Sequence, residues 1–226
     1  MIVFDMDGVL VDVSESYRET IVQTVRHFTG QSIERERIQE YKNQGGWNND
    51  WDLSQKICAD LGTDVGYQAI VDEFNRLFLG ANGETGLISR ERWIARPGVL
   101  ERLNQSFDLG IFTGRLRMEA DITLGRFAPG LRFDAIVCAD DLARQKPDPE
   151  GLHKIAALDR ERPLIYVGDT VDDARASRAA GVPFVGVAAA THGHREELLH
   201  LFAAEQALHV IDNINELEQA LAKSYH

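Results

Sequence analysis

A doubly wound α/β fold around a parallel sheet, with an all-helical segment inserted after the first strand, is what the pattern of this 226-residue chain predicts. Three observations carry that prediction. The apolar run Met1-Ile2-Val3-Phe4 stops abruptly at Asp5-Met6-Asp7-Gly8. From about residue 97 onward, short apolar runs alternate with helical patterns. Between the two, from residue 13 to about 90, the periodicity is helical throughout.

Taken in order, the first run has strand character and Gly8 breaks it, so Asp5 and Asp7 project from the strand's C-terminal end. Ligands bind at that end of an open α/β sheet. Two carboxylates so close repel, and they coexist only with a cation, a shared proton or a basic partner. In the inserted segment, helices are predicted in SYRETIVQTVRHF, IERERIQEYK, WDLSQKICADL and YQAIVDEFNRLFLG, punctuated at Gly30, at Asn43 to Asn49 and at Gly80 to Gly83. The run Glu34-Arg35-Glu36-Arg37 reads as a solvated helix face with mutual pairing. Beyond it come a helix in PGVLERLNQ, a strand in LGIF, a helix after Arg115, a strand in FDAIVCA and a helix from Pro149. A strand in LIYVG, a helix in DDARASRAAG, a strand in FVGVA, a helix in EELLHLFAAEQA, a strand in HVI and a helix in INELEQALAK complete the series. Residues 1–12 and 97–226 are therefore expected to form the core, and 13–96 the helical insertion with its linkers.

Composition narrows the partners. A formal net charge of -12 disfavours nucleic acid and anionic membrane surfaces, which need clustered Lys and Arg. No apolar stretch has the length of a membrane span, and the expectation is a cytoplasmic protein acting on a small molecule. Cys58 and Cys138 lie in a helical and a strand pattern, and read as buried small apolar residues rather than a disulfide or metal site. Nothing in the pattern specifies an oligomeric state.

Four segments should meet at one edge of the sheet: Asp5-Met6-Asp7-Gly8, Phe112-Thr113-Gly114-Arg115, Lys146-Pro147-Asp148-Pro149 and Gly168-Asp169-Thr170-Val171-Asp172-Asp173. Together they supply paired carboxylates, a hydroxyl with backbone amides near a helix start, a lysine and a second acidic group. That combination can hold a phosphoryl group and a divalent ion and transfer the phosphoryl.

In this order and at these separations, the four segments resemble the signature of the haloacid dehalogenase superfamily, in its phosphatase branch. The resemblance implies a Rossmann-like core with a helical cap between the first and second motifs. It implies that Asp5 is a nucleophile forming a phosphoaspartate and that Asp7 is the general acid and base. Thr113 and the Gly114 amide would bind phosphate, and Lys146 would offset its charge. Magnesium would be held by Asp5, Asp169 and the backbone carbonyl of Asp7, with Asp173 acting through water or orienting the others. The substrate would be a small phosphate ester. A phosphomutase shares this core and this acid pair, and a non-enzymatic phosphoacceptor module shares the strand-end acids, hydroxyl and lysine.

Some residues carry competing readings. Asp172 needs only the helix macrodipole to explain it, and Asp148 reads as an N-cap with Pro149 at the first helical position. Arg115 opposes the macrodipole at its helix start, which points to a nearby anion, either one of the protein's own acids or a second group on the substrate. Asn43 and Trp47, in Asn43-Gln44-Gly45-Gly46-Trp47-Asn48-Asn49-Asp50-Trp51, are candidates for a substrate-specificity loop, although the same spacing satisfies a helix-to-helix turn. Thr191-His192-Gly193-His194 reads as a polar loop and helix start.

Overall fold

Six of the short apolar runs pair into one parallel sheet in the computed structural model, which describes residues 1–80, 85–190 and 193–224. The strands are β1 (Ile2–Phe4), β4 (Leu109–Phe112), β5 (Ala135–Val137), β6 (Ile165–Gly168), β7 (Phe184–Val187) and β8 (His209–Ile211). Every residue of β1, β4 and β7 is buried, which is why these segments read as unbroken apolar runs rather than alternating ones. Two further short strands, β2 (Val11–Asp12) and β3 (Arg92–Trp93), lie outside this sheet.

The sheet order is β5-β4-β1-β6-β7-β8. The chain starts in the middle, builds outward on one side through β4 and β5, then returns to the other side of β1 with β6. The order therefore reverses between β1 and β6, the position at which doubly wound sheets open a crevice for ligands. Register brings the two strand ends level, with Phe4 beside Val167 and the Asp5 amide donating to the Val167 carbonyl at 2.8 Å.

The chain divides into two compact units, Met1–Val11 with Trp93–His226, and Asp12–Arg92. In the first, the described helices that follow the strands are α5 (Val99–Ser106), α6 (Arg117–Phe127), α7 (Glu150–Ala156), α8 (Val171–Ala180), α9 (Arg195–Ala204) and α10 (Leu217–Ser224). Phe112, Tyr166, Phe184 and Phe202 run through this core as successive ring contacts of 5.3 to 6.1 Å. Helix α7 begins one residue later than the sequence suggests. Pro149 holds the N-cap position, and Asp148 acts from outside it by accepting the Glu150 amide at 3.0 Å.

The second unit holds α1 (Tyr17–Thr29), α2 (Arg35–Gln44), α3 (Asp50–Asp60) and α4 (Tyr67–Leu79). Tyr17 packs on Phe78 with centroids 4.1 Å apart, and both lie on apolar faces at helical spacing. Arg35 pairs with Glu15 and Glu19, at 2.7 and 3.0 Å, rather than with its neighbours in the charge run. Both cysteines are buried and free, and burial pushes the Cys138 thiol up to about 12. Residues 81–84, which include positions 81–83 of the predicted Gly80 to Gly83 punctuation, and Thr191 and His192 lie outside the described residues. Among the described residues, no helix is long and apolar enough to cross a membrane.

Candidate active site

At the reversal point between β1 and β6, the strand ends deliver a buried ionic cluster. Lys146 reaches it from the segment before α7, with Nζ 2.9 Å from Asp5 Oδ1 and 2.7 Å from Asp173 Oδ1. All three side chains are nearly inaccessible, at 1%, 7% and 0% exposed for Lys146, Asp5 and Asp173. The ammonium also stands over the Phe112 ring at 4.8 Å and the Tyr166 ring at 5.5 Å, so two carboxylates and two π faces surround it.

Burial alone would strip the charge from each of these groups, and their mutual attraction decides the outcome. For Lys146 the two carboxylates overcome desolvation and hold the ammonium above its ordinary range. Asp173 is held below the usual carboxylate range despite burial, because Lys146, Thr170 and Tyr166 all donate to or attract it. Asp5 goes the other way. Burial lifts it from 3.8 to about 7, with the charges of Asp173 and Asp7 adding to that and Lys146 opposing it. One cation thus serves an excess of acids, an arrangement that favours recruiting further positive charge.

Asp173 is the most firmly held member. Its Oδ1 accepts the Tyr166 hydroxyl at 2.7 Å, and its Oδ2 accepts the Thr170 amide and hydroxyl at 3.0 and 2.6 Å. Thr170 in turn caps α8 by accepting the Asp173 amide, a reciprocal box that fixes the first turn of the helix. Gly168 allows this approach, because a Cβ there would lie 2.5 Å from the Cβ of Asp173. Asp172 is buried beside them with Arg175 Nη1 at 3.8 Å.

The carboxylates of Asp5, Asp169 and Asp173 offer ligand atoms within 4.8 Å of one another. A hard, oxygen-seeking divalent cation fits that donor set. Gly8 is part of the same cradle. It sits at φ +71°, and a Cβ there would fall 1.8 Å from Asp169 Oδ2, so only glycine lets the turn pass that carboxylate.

Asp7 is a third exposed at its side chain and faces Arg115, whose Nε and Nη2 lie 2.7 and 2.6 Å from its Oδ1. Arg115, expected as a substrate ligand or a partner of the protein's own acids, is buried, and its Nη1 donates to Thr123 at 2.6 Å. Thr113 is buried at the end of β4 and closes the following turn by accepting the Arg115 amide at 3.2 Å, while Gly114 is exposed. Helix α6 starts at Arg117, so Thr113 and Gly114 lie in a turn ahead of the helix rather than in its first residues.

Asp5, Asp7, Thr113, Gly114, Arg115, Lys146, Asp169 and Asp173 all belong to the core unit. Asn43 and Trp47 belong to the helical unit. Asn43 sits in the last turn of α2, buried, with Oδ1 accepting from Gln39 at 2.8 Å. Trp47 packs edge-on against Tyr41 at 5.9 Å, and Asn49 caps α3 by accepting the Trp51 and Asp52 amides. The segment thus contains the turn chemistry its spacing allowed. Tyr166, Thr123 and Gly8 have no site role in the sequence pattern. Tyr166 left one signal, because a tyrosine in a buried aliphatic strand needs a partner for its hydroxyl.

Strand-end acids around a buried lysine, at the switch point of a doubly wound sheet, form an α/β site suited to a phosphoryl group and a divalent cation. The chain belongs to the haloacid dehalogenase-like hydrolase family, whose model matches residues 2–187. It is 43% identical over 199 residues to a phosphoglycolate phosphatase of Cereibacter sphaeroides, covering 88% of each chain. It is 34% identical over 194 residues to a Phytophthora nicotianae protein named imidazoleglycerol-phosphate dehydratase, which covers 82% of this chain but only 42% of that one. Among solved structures, a phosphatase of Thermococcus thioreducens superposes with a TM-score of 0.64 at 28% identity, covering 91% of this chain and 98% of its own. The chain is a phosphatase-class hydrolase of this family.

Proposed function

We propose that the protein is a magnesium-dependent phosphatase that hydrolyses a small phosphomonoester through an aspartyl-phosphate on Asp5. The observation that carries this reading is the buried Asp5–Lys146–Asp173 cluster at the β1/β6 switch point, with Asp169 beside it. Asp5 and Asp169, with the backbone carbonyl of Asp7, would hold the ion. Asp173 is committed to four protein donors and serves better to orient Lys146 and the waters around the ion. Bound there, magnesium supplies positive charge against the phosphate oxygens and the nucleophile.

An Asp5 carboxylate oxygen attacks phosphorus while the substrate's ester oxygen leaves, taking a proton from Asp7. Asp7, now ionised, takes a proton from water as that water attacks the phosphoaspartate, and Asp5 is released with inorganic phosphate. Thr113 and the exposed Gly114 amide are the candidate phosphate donors. Lys146 lies beside the nucleophile and offsets the charge that accumulates there. The helical unit is the candidate cap that sets specificity, with Asn43 and Trp47 as its candidate contacts. The place of action on this reading is the cytoplasm, with neither nucleic acid nor membrane as partner.

The likeness to the Cereibacter phosphatase favours phosphoglycolate as the substrate. A second reading comes from the Phytophthora relative, in which the matched region is a minority of a chain named for an imidazole-bearing phosphate ester. It favours an alkyl phosphate carrying an imidazole. Purified protein incubated with magnesium and both classes of ester should release many phosphates per chain from one of them. An isomeric phosphate instead of free phosphate would make the protein a mutase, and a single phosphoryl retained per chain would make it a phosphoacceptor.

A further inference from the structure

Arg115 is the largest of the fully buried side chains, and it is ionic. A guanidinium taken out of water is costly unless its donors are met, so its presence needs a reason. Its side chain is 1% exposed while that of its partner Asp7 is 33% exposed. The cation therefore lies on the inner side of the carboxylate, out of reach of a ligand.

The contacts use the shape of the guanidinium. Nε and Nη2 both reach Asp7 Oδ1, and Nη1 is tied to Thr123 Oγ1 inside α6. The backbone of Arg115 is pinned from the other side, where its amide donates to Thr113 Oγ1 and its carbonyl accepts the Ala139 amide at 2.9 Å. The two contacts from the guanidinium to Asp7, from Nε and from Nη2, both fall on Oδ1.

We propose that Arg115 is the positioning residue for Asp7, holding one oxygen of the general acid and base so that the other meets the leaving group and then the attacking water. This rests on the phosphatase reading of Asp5 and Asp7. Arg115 is a positioning residue and does not touch the phosphate ester. A lysine would not reproduce it, since its single nitrogen lacks the planar fork by which Nε and Nη2 meet Asp7 while Nη1 meets Thr123.

The test exploits leaving-group chemistry. Attack on an alkyl phosphate needs the Asp7 proton, because an alkoxide leaves poorly. An aryl phosphate such as 4-nitrophenyl phosphate leaves without it, whereas hydrolysis of the phosphoaspartate needs Asp7 in either case. Arg115→Ala should lower kcat on alkyl phosphates about 100-fold with KM changed less than about threefold, the loss expected for misplaced acid-base catalysis. On 4-nitrophenyl phosphate the same variant should give a burst of nitrophenol near the wild-type rate, then slow turnover with phosphoenzyme accumulating. Added guanidinium ion should restore part of the alkyl-ester kcat, and Arg115→Lys should stay impaired.

Thr123→Val keeps the arginine and removes only its anchor, and should show a weaker form of the same split if Arg115→Ala fails to fold. Equal losses on alkyl and aryl esters without a burst, or a rise in KM with kcat unchanged, would overturn the proposal. Wild-type protein run alongside separates the two claims, since a wild type that releases no phosphate from either ester contradicts the phosphatase reading itself.

Discussion

Replacing Gly8 by alanine probes the metal cradle through a residue that carries no functional group. Two costs follow from the structure. The first is backbone strain, since Gly8 sits at φ +71° and an L-residue in that region costs roughly 1–2 kcal/mol. The second is steric, because the new Cβ would lie 1.8 Å from Asp169 Oδ2 and 2.4 Å from its Cγ. Ordinary contact needs about 3.5 Å, so the carboxylate must retreat by more than about 1.5 Å, several times the tolerance of about 0.2 Å in a metal–ligand distance. Gly181→Ala supplies the control. It has φ +68° and nothing within 4 Å of the added atom, so it bears the strain alone. On thermal melting in chelator Gly181→Ala should lose the strain cost alone, and Gly8→Ala at least as much. On the proposed magnesium site, magnesium should raise the melting temperature of the wild type and of Gly181→Ala but not of Gly8→Ala, whose magnesium concentration for half-maximal turnover should rise about tenfold or more. A wild-type magnesium response in Gly8→Ala, or an equal loss in Gly181→Ala, would refute the placement of Asp169 at the ion.

Tyr166→Phe keeps the ring over Lys146 and removes only the hydroxyl that Asp173 Oδ1 accepts, so it should cost about 2 kcal/mol in urea unfolding with an unchanged slope. An unaltered midpoint would show that Asp173 does not need that donor. Asp5 has a folded pKa raised by burial to about 7, against 3.8 ordinarily. The stability it contributes is complete below its unfolded value and is lost as pH rises through about 7. In chelator, the melting temperature of Asp5→Asn relative to wild type should therefore climb between about pH 4 and about pH 7. A difference independent of pH would contradict the burial of that charge.

Much of the site was legible because chemistry and topology were written in the same short segments. Asp5, Thr113, Lys146 and Asp169 each follow or precede an element that the apolar pattern defines, and strand alternation with helices brings those ends to one edge. What could not be read is what depends on side-chain direction. Nothing in the spacing says that Arg115 turns inward to Asp7 or that Thr123, on the far side of a helical turn, anchors it. Asn43 shows the same limit from the other side. Its place beside Gly45 suggested a loop, but α2 runs through Gln44 and buries it, because its amide oxygen finds Gln39 one turn back. Helix starts were the least determined, as at Glu150, whose amide Asp148 accepts from outside the N-cap, and at Arg117, ahead of which Thr113 closes a separate turn.

The central claim is that Asp5 carries the phosphoryl group, and mass spectrometry of acid-quenched protein tests it most directly. Wild type mixed with magnesium and a turned-over ester should show one phosphoryl group on the peptide containing Asp5, and Asp5→Asn should show none. Sustained turnover by Asp5→Asn, or a phosphoryl group found on another residue, would contradict the account.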